Sequence, residues 1–215
     1  MRGIVLNKIR RLKMKKKGLC GLILCMLVGM VCFGCGGKDT AQKSADESSE
    51  TIQDEKKSEN MTKEDFMREA IALSCSSVEH GGGPFGAVIV RDGKIIARGS
   101  NSVTLLNDPT AHAEVSAIRA ACSSEKNFKL EGCELYTSCE PCPMCLAAAY
   151  WAGISKIYYG NNRTDAAEIG FDDSFIYDQI DVAPEKRTVP SEPMLRDEAL
   201  QAFRMWSEKE DKIEY

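Results

Sequence analysis

The sequence predicts an α/β domain, a largely mixed sheet flanked by helices. Three observations carry that prediction. Apolar residues change between helical and strand spacing several times along residues 61–160. Asp92-Gly93, a two-residue hairpin turn, separates two apolar runs. Two helix-start signatures, Asp108-Pro109 and Cys142-Pro143, follow later in the chain.

Taken in order, Phe66, Ala70, Ile71 and Leu73 fall at helical spacing, so Met61 to Ser77 reads as an amphipathic helix packing on the sheet. Gly81-Gly82-Gly83-Pro84 ends it. Phe85 to Val90 and Ile95 to Gly99 read as the two strands of the hairpin. Ala113, Val115, Ala117, Ile118 and Ala121 then define a helix over Thr110 to Cys122, opened by Asp108-Pro109, with His112 and Glu114 in its first turn. Cys133 to Thr137 is a third strand and Lys156 to Tyr159 a fourth. Between them a second helix runs through Leu146 to Trp151; Pro143 is tolerated early in it, which puts Cys142 and Cys145 at its N-terminus. The acidic and aromatic stretch from Asn161 to Asp178 either caps a surface helix or lines a pocket, and the sequence favours the cap. About 150 residues are enough for one core, and no internal repeat is visible.

The chemistry lies in Thr110-Ala111-His112-Ala113-Glu114 and Cys139-Glu140-Pro141-Cys142-Pro143-Met144-Cys145. One imidazole and two thiolates leave a tetrahedral Zn²⁺ with an open position for water, which a catalytic site needs and a four-Cys structural site lacks. The metal brings the pKa of such a water from about 16 toward about 7. Glu114, two residues beyond His112, can reach the water without ligating and can carry its proton to a leaving amine. Helix N-termini favour thiolate over thiol, so Cys142 and Cys145 suit their positions. Alone, Cys142-x-x-Cys145 would fit a thioredoxin-like redox pair or half of a structural zinc knuckle. With His-x-Glu about thirty residues earlier, the pattern is that of the zinc nucleobase deaminases. Cys139 is a rival ligand by position, but reads as a small buried residue ending its strand.

The resemblance extends beyond that motif. Residues Met61 to Tyr215 resemble bacterial guanine deaminases of the cytidine-deaminase-like fold, a three-layer α/β/α sandwich with a mixed sheet. The segments that carry the likeness are Gly82 to Val90, Asn107 to Glu114, Tyr136 to Cys145, Thr164 to Glu168, Gly170 to Tyr177 and the terminal Glu214-Tyr215. The zinc motif is shared with cytosine and tRNA adenosine deaminases; Phe171-Asp172-Asp173-Ser174-Phe175 and the Glu-Tyr terminus are narrower. The likeness implies hydrolysis of guanine to xanthine and ammonia with Zn²⁺ as cofactor, and attack at C2 while Glu114 moves protons. It implies that Asn101 and the amide of Ala113 bind the purine and that Asp173 assists at the amino group. It also implies a homodimer whose exchanged C-terminal tail brings Tyr215 to the neighbour's pocket, with Trp151 in the pocket wall. Read without the likeness, Asn101 is equally a turn residue and Trp151 equally plain core.

The chain of 215 residues carries a formal net charge of −4. Its first 17 residues hold eight Lys and Arg and no acid; without them, 20 basic face 32 acidic residues, about −12. Phosphate recognition needs the opposite sign, so nucleic acid is not an expected partner. The basic stretch, an apolar run from Gly18 to Gly34 and Cys35 together resemble a lipoprotein signal, with Cys35 lipidated and an uncleaved anchor as the alternative. Residues 36–60, polar and acidic with Ile52 as their one large apolar residue, read as a tether to the deaminase domain of residues 61–215. That order predicts a membrane-anchored, extracytoplasmic lipoprotein; translation from Met61 would instead give a cytoplasmic enzyme. Arg10-Arg11 hints weakly at export of a folded protein. Cys75, Cys122, Cys133 and Cys139 read as small buried thiols rather than disulfides. From another class, the chain could be a lipid-anchored zinc- or purine-binding receptor. Glu114 speaks against that reading, because binding does not need it.

Overall fold

The computed structural model describes residues 61–214. The expected signal, Cys35, the tether and Tyr215 lie outside the described residues. Helix α1 (Lys63–Glu79) starts where Thr62 and Asp65 form a capping box: the Thr62 side chain accepts from the Asp65 N–H, and the Asp65 carboxylate accepts from the Thr62 N–H at 3.0 Å. The hairpin strands are β1 (Gly86–Arg91) and β2 (Lys94–Ser100). Asp92 and Gly93 both have positive φ, 50° and 73°, as a type I′ turn requires. A short helix α2 (Val103–Leu106) follows, then α3 (Ala113–Glu125), β3 (Glu134–Cys139), α4 (Pro143–Ala152) and β4 (Lys156–Asn161). Beyond them lie α5 (Arg163–Glu168), α6 (Ser174–Ile180), a 3₁₀ turn at Pro184–Lys186 and α7 (Arg196–Glu208).

The sheet order is β2-β1-β3-β4. The pairs β1–β2 and β1–β3 are antiparallel and β3–β4 is parallel, so the sheet is mixed as expected. Alternation along the strands separates two cores. On one face, Ala87, Ile89 and Leu135 pack with Ala117, Ala121 and Ala149 beneath α3 and α4. On the other, Val88, Val90 and Tyr136 pack with Phe66 of α1. Helices on both faces of one sheet give three layers.

Two glycines set how closely the helices lie. A Cβ at Gly86 would collide with the Ala70 carbonyl and the Ser74 amide of α1, and a Cβ at Gly99 with the Ala113 carbonyl and the Ala117 amide of α3. Main chain therefore rests on main chain across each face, and the start of α3 is pinned to β2.

The structure corrects one boundary that matters. The helix expected from Thr110 begins at Ala113, with His112 as its N-cap at φ −70°, ψ 156°. Asp108 and Pro109 do not open it. The Asp108 carboxylate accepts from the Thr110 N–H at 2.8 Å and from the Thr110 hydroxyl at 2.7 Å, which closes a separate turn. The same residue types serve both purposes, and only the tertiary path chooses between them. Two smaller expectations also change: Cys75 is exposed rather than buried, and Ile71 lies on the solvent side of α1.

Candidate active site

Two helix starts converge on one point. His112 caps α3 and Glu114 is in its first turn; Cys142 caps α4, Pro143 takes the first helical position, and Cys145 is one turn in. His112 Nδ1 lies 3.6 Å from Cys142 Sγ and 3.5 Å from Cys145 Sγ, and the two sulfurs are 3.6 Å apart. A tetrahedral Zn²⁺ with ordinary Zn–S and Zn–N bonds needs roughly 3.8 Å between sulfurs and roughly 3.5 Å from sulfur to nitrogen. The three donors fit. Among the described residues they form the one cluster able to hold a metal ion, and they leave a fourth direction open. Cys139 does not compete: it is buried at the end of β3, with its thiol 3.7 Å from the Asn162 carbonyl oxygen.

Glu114 is beside the donors and almost wholly buried. Thr137 Oγ1 donates to its Oε1 at 3.1 Å, and Cys145 Sγ is 3.4 Å from its Oε2. Burial raises the Glu114 carboxyl above the usual range, with hydrogen bonds from its own amide, Cys145 and Thr137 opposing the shift. Contact with the Cys145 thiol and then with the His112 ring brings Cys142 down to about 4. The Cys145 thiol is pushed up by its bond to Cys142 and by burial, so the outer sulfur takes the charge. His112 is raised in turn, chiefly by its bond to Cys142. The group is ready to trade protons for a cation.

The remaining expected residues surround this centre unevenly. Asn101 is buried, and its Oδ1 accepts from the N–H groups of Gly83 and Val103, both at 3.3 Å. It is thus a turn residue whose oxygen is already committed, leaving the amide nitrogen to face elsewhere. Ala113 is the first residue of α3, so its N–H is among those a helix leaves without an internal partner. Asp173 precedes α6, and a cleft of about 380 Å³ is lined there by Glu140, Asn162, Arg163, Asp172 and Asp173. Burial raises the Asp173 carboxyl; the Arg163 guanidinium, 3.7 Å away, works against that, and Cys142 adds to it. The edge-to-face contact of Phe85 with Phe171, centroids 5.0 Å apart, ties this loop to the start of β1. The stretch after Asn161 therefore does both things the sequence allowed: Asn162 and Asp165 cap α5, and the acidic residues line a cleft.

Trp151 is not core. It is 65% exposed and borders an apolar groove of about 520 Å³ with Val115, Ile118, Cys122 and Phe128, a groove that His112, Cys142 and Cys145 do not line. Sequence reasoning missed Thr137 and Arg163. Strand alternation, which places Thr137 on the same face as Leu135, could have found the first. Arg163 stacks over the Tyr177 ring at 4.0 Å, a contact no local pattern announces.

Fold and site together define a metal-dependent hydrolase built on a mixed α/β/α sandwich. Known proteins agree. The sequence model of the cytidine and deoxycytidylate deaminase zinc-binding region matches residues 60–161. The chain is 54% identical over 156 residues to a guanine deaminase of Bacillus subtilis, covering 72% of this chain and 100% of that one. It is 46% identical over 95 residues to a tRNA-specific adenosine deaminase of Agrobacterium fabrum, covering 44% of this chain and 62% of that one. The X-ray structure of the Bacillus subtilis guanine deaminase superposes with a TM-score of 0.70 over 72% of this chain and 99% of that chain. A guanine deaminase from Nitrosomonas europaea, at 27% identity, gives 0.52 over 66% and 74%. The chain belongs to the family of zinc-dependent deaminases of the cytidine and deoxycytidylate type, and its fold is cytidine-deaminase-like.

Proposed function

We propose that the chain hydrolyses guanine to xanthine and ammonia. The observation that carries the choice of base is the extent of likeness. It runs the whole length of a guanine deaminase, 156 residues, whereas the tRNA adenosine deaminase matches over 95. The matched zinc-binding region ends at residue 161, and Asp172, Asp173 and the C-terminal helix lie beyond it.

Zn²⁺ held by His112, Cys142 and Cys145 supplies Lewis acidity and a water nucleophile usable at neutral pH. The chain's own groups do the rest. Glu114 accepts one proton of the attacking water and passes it to the ring, then takes the remaining hydroxyl proton and delivers it to the 2-amino group as the C2–N bond breaks, releasing ammonia and leaving the C2 carbonyl of xanthine. Its burial supports this, since desolvation disfavours the charged carboxylate and makes the carboxyl a better proton acceptor than an exposed one. Asn101 donates through its amide nitrogen to an acceptor on the purine, because its oxygen is occupied by two backbone N–H groups. The Ala113 N–H binds the base beside it. Asp173 accepts from the amino group undergoing displacement.

The working unit in this reading is a homodimer with exchanged C-terminal segments, Tyr215 closing the neighbour's pocket and Trp151 contributing to its wall. Helix α7 supports it: Phe203 and Trp206 lie on one side of the helix, yet none of its residues is buried within the single chain. Ahead of the domain, residues 1–35 act as a lipoprotein signal lipidated at Cys35, and 36–60 as a tether that holds the enzyme outside the cytoplasm. The family match begins at residue 60, where this tether would end and where the Met61 start would also fall. Initiation at Met61, giving a cytoplasmic enzyme, is the competing arrangement. Metabolic labelling with a fatty acid would mark a lipoprotein, with the label lost on Cys35→Ala, and would leave unmarked a protein that starts at Met61.

The test of the activity is ammonia release by the purified zinc-loaded protein from guanine, cytosine, adenine and their nucleosides. Guanine is expected to dominate. Turnover of adenosine within tRNA, with none of guanine, would replace this reading by that of a tRNA adenosine deaminase.

A further inference from the structure

The catalytic carboxyl is held from the sheet as well as from its own helix. Thr137 sits on β3, wholly buried, five residues before Cys142, and its hydroxyl donates to Glu114 Oε1 at 3.1 Å. The flanking residues face away. Tyr136 packs against Phe66 and stacks on Tyr158 across the sheet, while the Ser138 hydroxyl accepts from the Gly86 N–H at 3.1 Å. Alternation thus turns Thr137 alone of these three toward α3. The other side-chain hydrogen bond to Glu114 comes from Cys145 Sγ, 3.4 Å from its Oε2. A sulfur bound to a metal has no proton left to donate, so that contact cannot steady the carboxylate when the site is loaded. The Thr137 hydroxyl can.

We propose that Thr137 is a positioning residue for Glu114: its hydroxyl fixes one carboxylate oxygen so that the other faces the open position among His112, Cys142 and Cys145. The inference rests on the role given to Glu114 above. It assigns Thr137 no contact with substrate or metal. A carboxylate free to rotate in the same cavity would spend less of its time aligned for proton transfer, so the cost falls on kcat and not on KM. The arrangement also explains why a hydroxyl-bearing residue occupies a strand position otherwise surrounded by apolar packing, where an unpaired hydroxyl would be unfavourable.

The test compares Thr137→Ser with Thr137→Ala in the zinc-loaded full chain. Both lose the methyl group and only serine keeps the donor. The serine variant should stay within about threefold of wild-type kcat, and the alanine variant should fall about tenfold or more below it, with KM and zinc content little changed. Equal kcat in the two variants would overturn the proposal, as would a loss carried by KM or by zinc release. Crystal structures of the two zinc-loaded variants give a readout without turnover. Glu114 should keep its side-chain orientation in the serine variant and swing or split in the alanine variant; an unmoved Glu114 in the alanine variant would also overturn the proposal. Because this readout needs no substrate, its failure leaves the guanine reading standing, and a failed guanine assay leaves this comparison intact.

Discussion

Residues 63–152 and residues 162–214 are built on different terms. The first stretch holds the sheet's inner strands, both donor-bearing helices and nearly all buried side chains; in the second, Ala166 alone is buried. The metal chemistry therefore belongs to the part that is stable by its own packing, while Asp173 and the C-terminal helix belong to a part with little packing of its own. A reaction shared by many deaminases sits in the rigid part. The residues beyond 161 sit where the chain is thinly anchored, and such segments have most freedom to diverge.

The sharpest way to probe that contrast is at the donors. Glu114→Gln should retain zinc by elemental analysis and lose about 10³-fold in kcat, the scale of a general acid–base residue. Wild-type turnover in that variant would break the assignment of chemistry to the packed half. Next in size, Gly99→Val should drive a side chain into the Ala113 carbonyl and lift α3 from β2. A destabilisation of about 3 kcal/mol in urea, with loss of zinc, is expected from overpacking of this kind.

A pH effect of similar or smaller size should appear in the same region. Burial pushes the Cys139 thiol up from 9.0 to about 11, so the folded state holds its proton where the unfolded chain has lost it. The stability from the neutral thiol is fully present below pH 9 and declines as pH rises toward about 11, by about 2 to 3 kcal/mol. Cys139→Ala should flatten that part of the stability profile measured by denaturant titration. An unchanged slope would show that the thiol is not what resists alkali there. The smallest stability change should come from the second region: Phe203→Ala with Trp206→Ala should alter chemical stability of the packed half by under about 0.5 kcal/mol, the range of surface substitutions. The same pair should nevertheless shift the sedimentation profile to monomer and depress guanine turnover. A variant that stays dimeric and active would separate α7 from both roles.

What could be read in the sequence divides along similar lines. The three donors and Glu114 were legible because metal geometry demands particular side chains at short, fixed spacings. The hairpin was legible because Asp92 and Gly93 tolerate positive φ. The start of α3 was misread, since an aspartate followed by proline suits both a helix opening and the closed turn that Thr110 completes. Trp151 could not be resolved from one chain's sequence, because an aromatic side chain beside an apolar groove has the same local pattern whether or not its cover comes from the same molecule. Thr137 was hidden for a further reason: its partner is 23 positions away and is reached only once the helix has settled on the sheet.

The contact at Gly99 has one more consequence. Because backbone atoms, and not side chains, separate β2 from the first turn of α3, their spacing is set by main-chain van der Waals radii that do not vary from one residue type to another. Substitutions among the apolar residues of either core should then erode resistance to heat before they alter the bite of the donors on their ion.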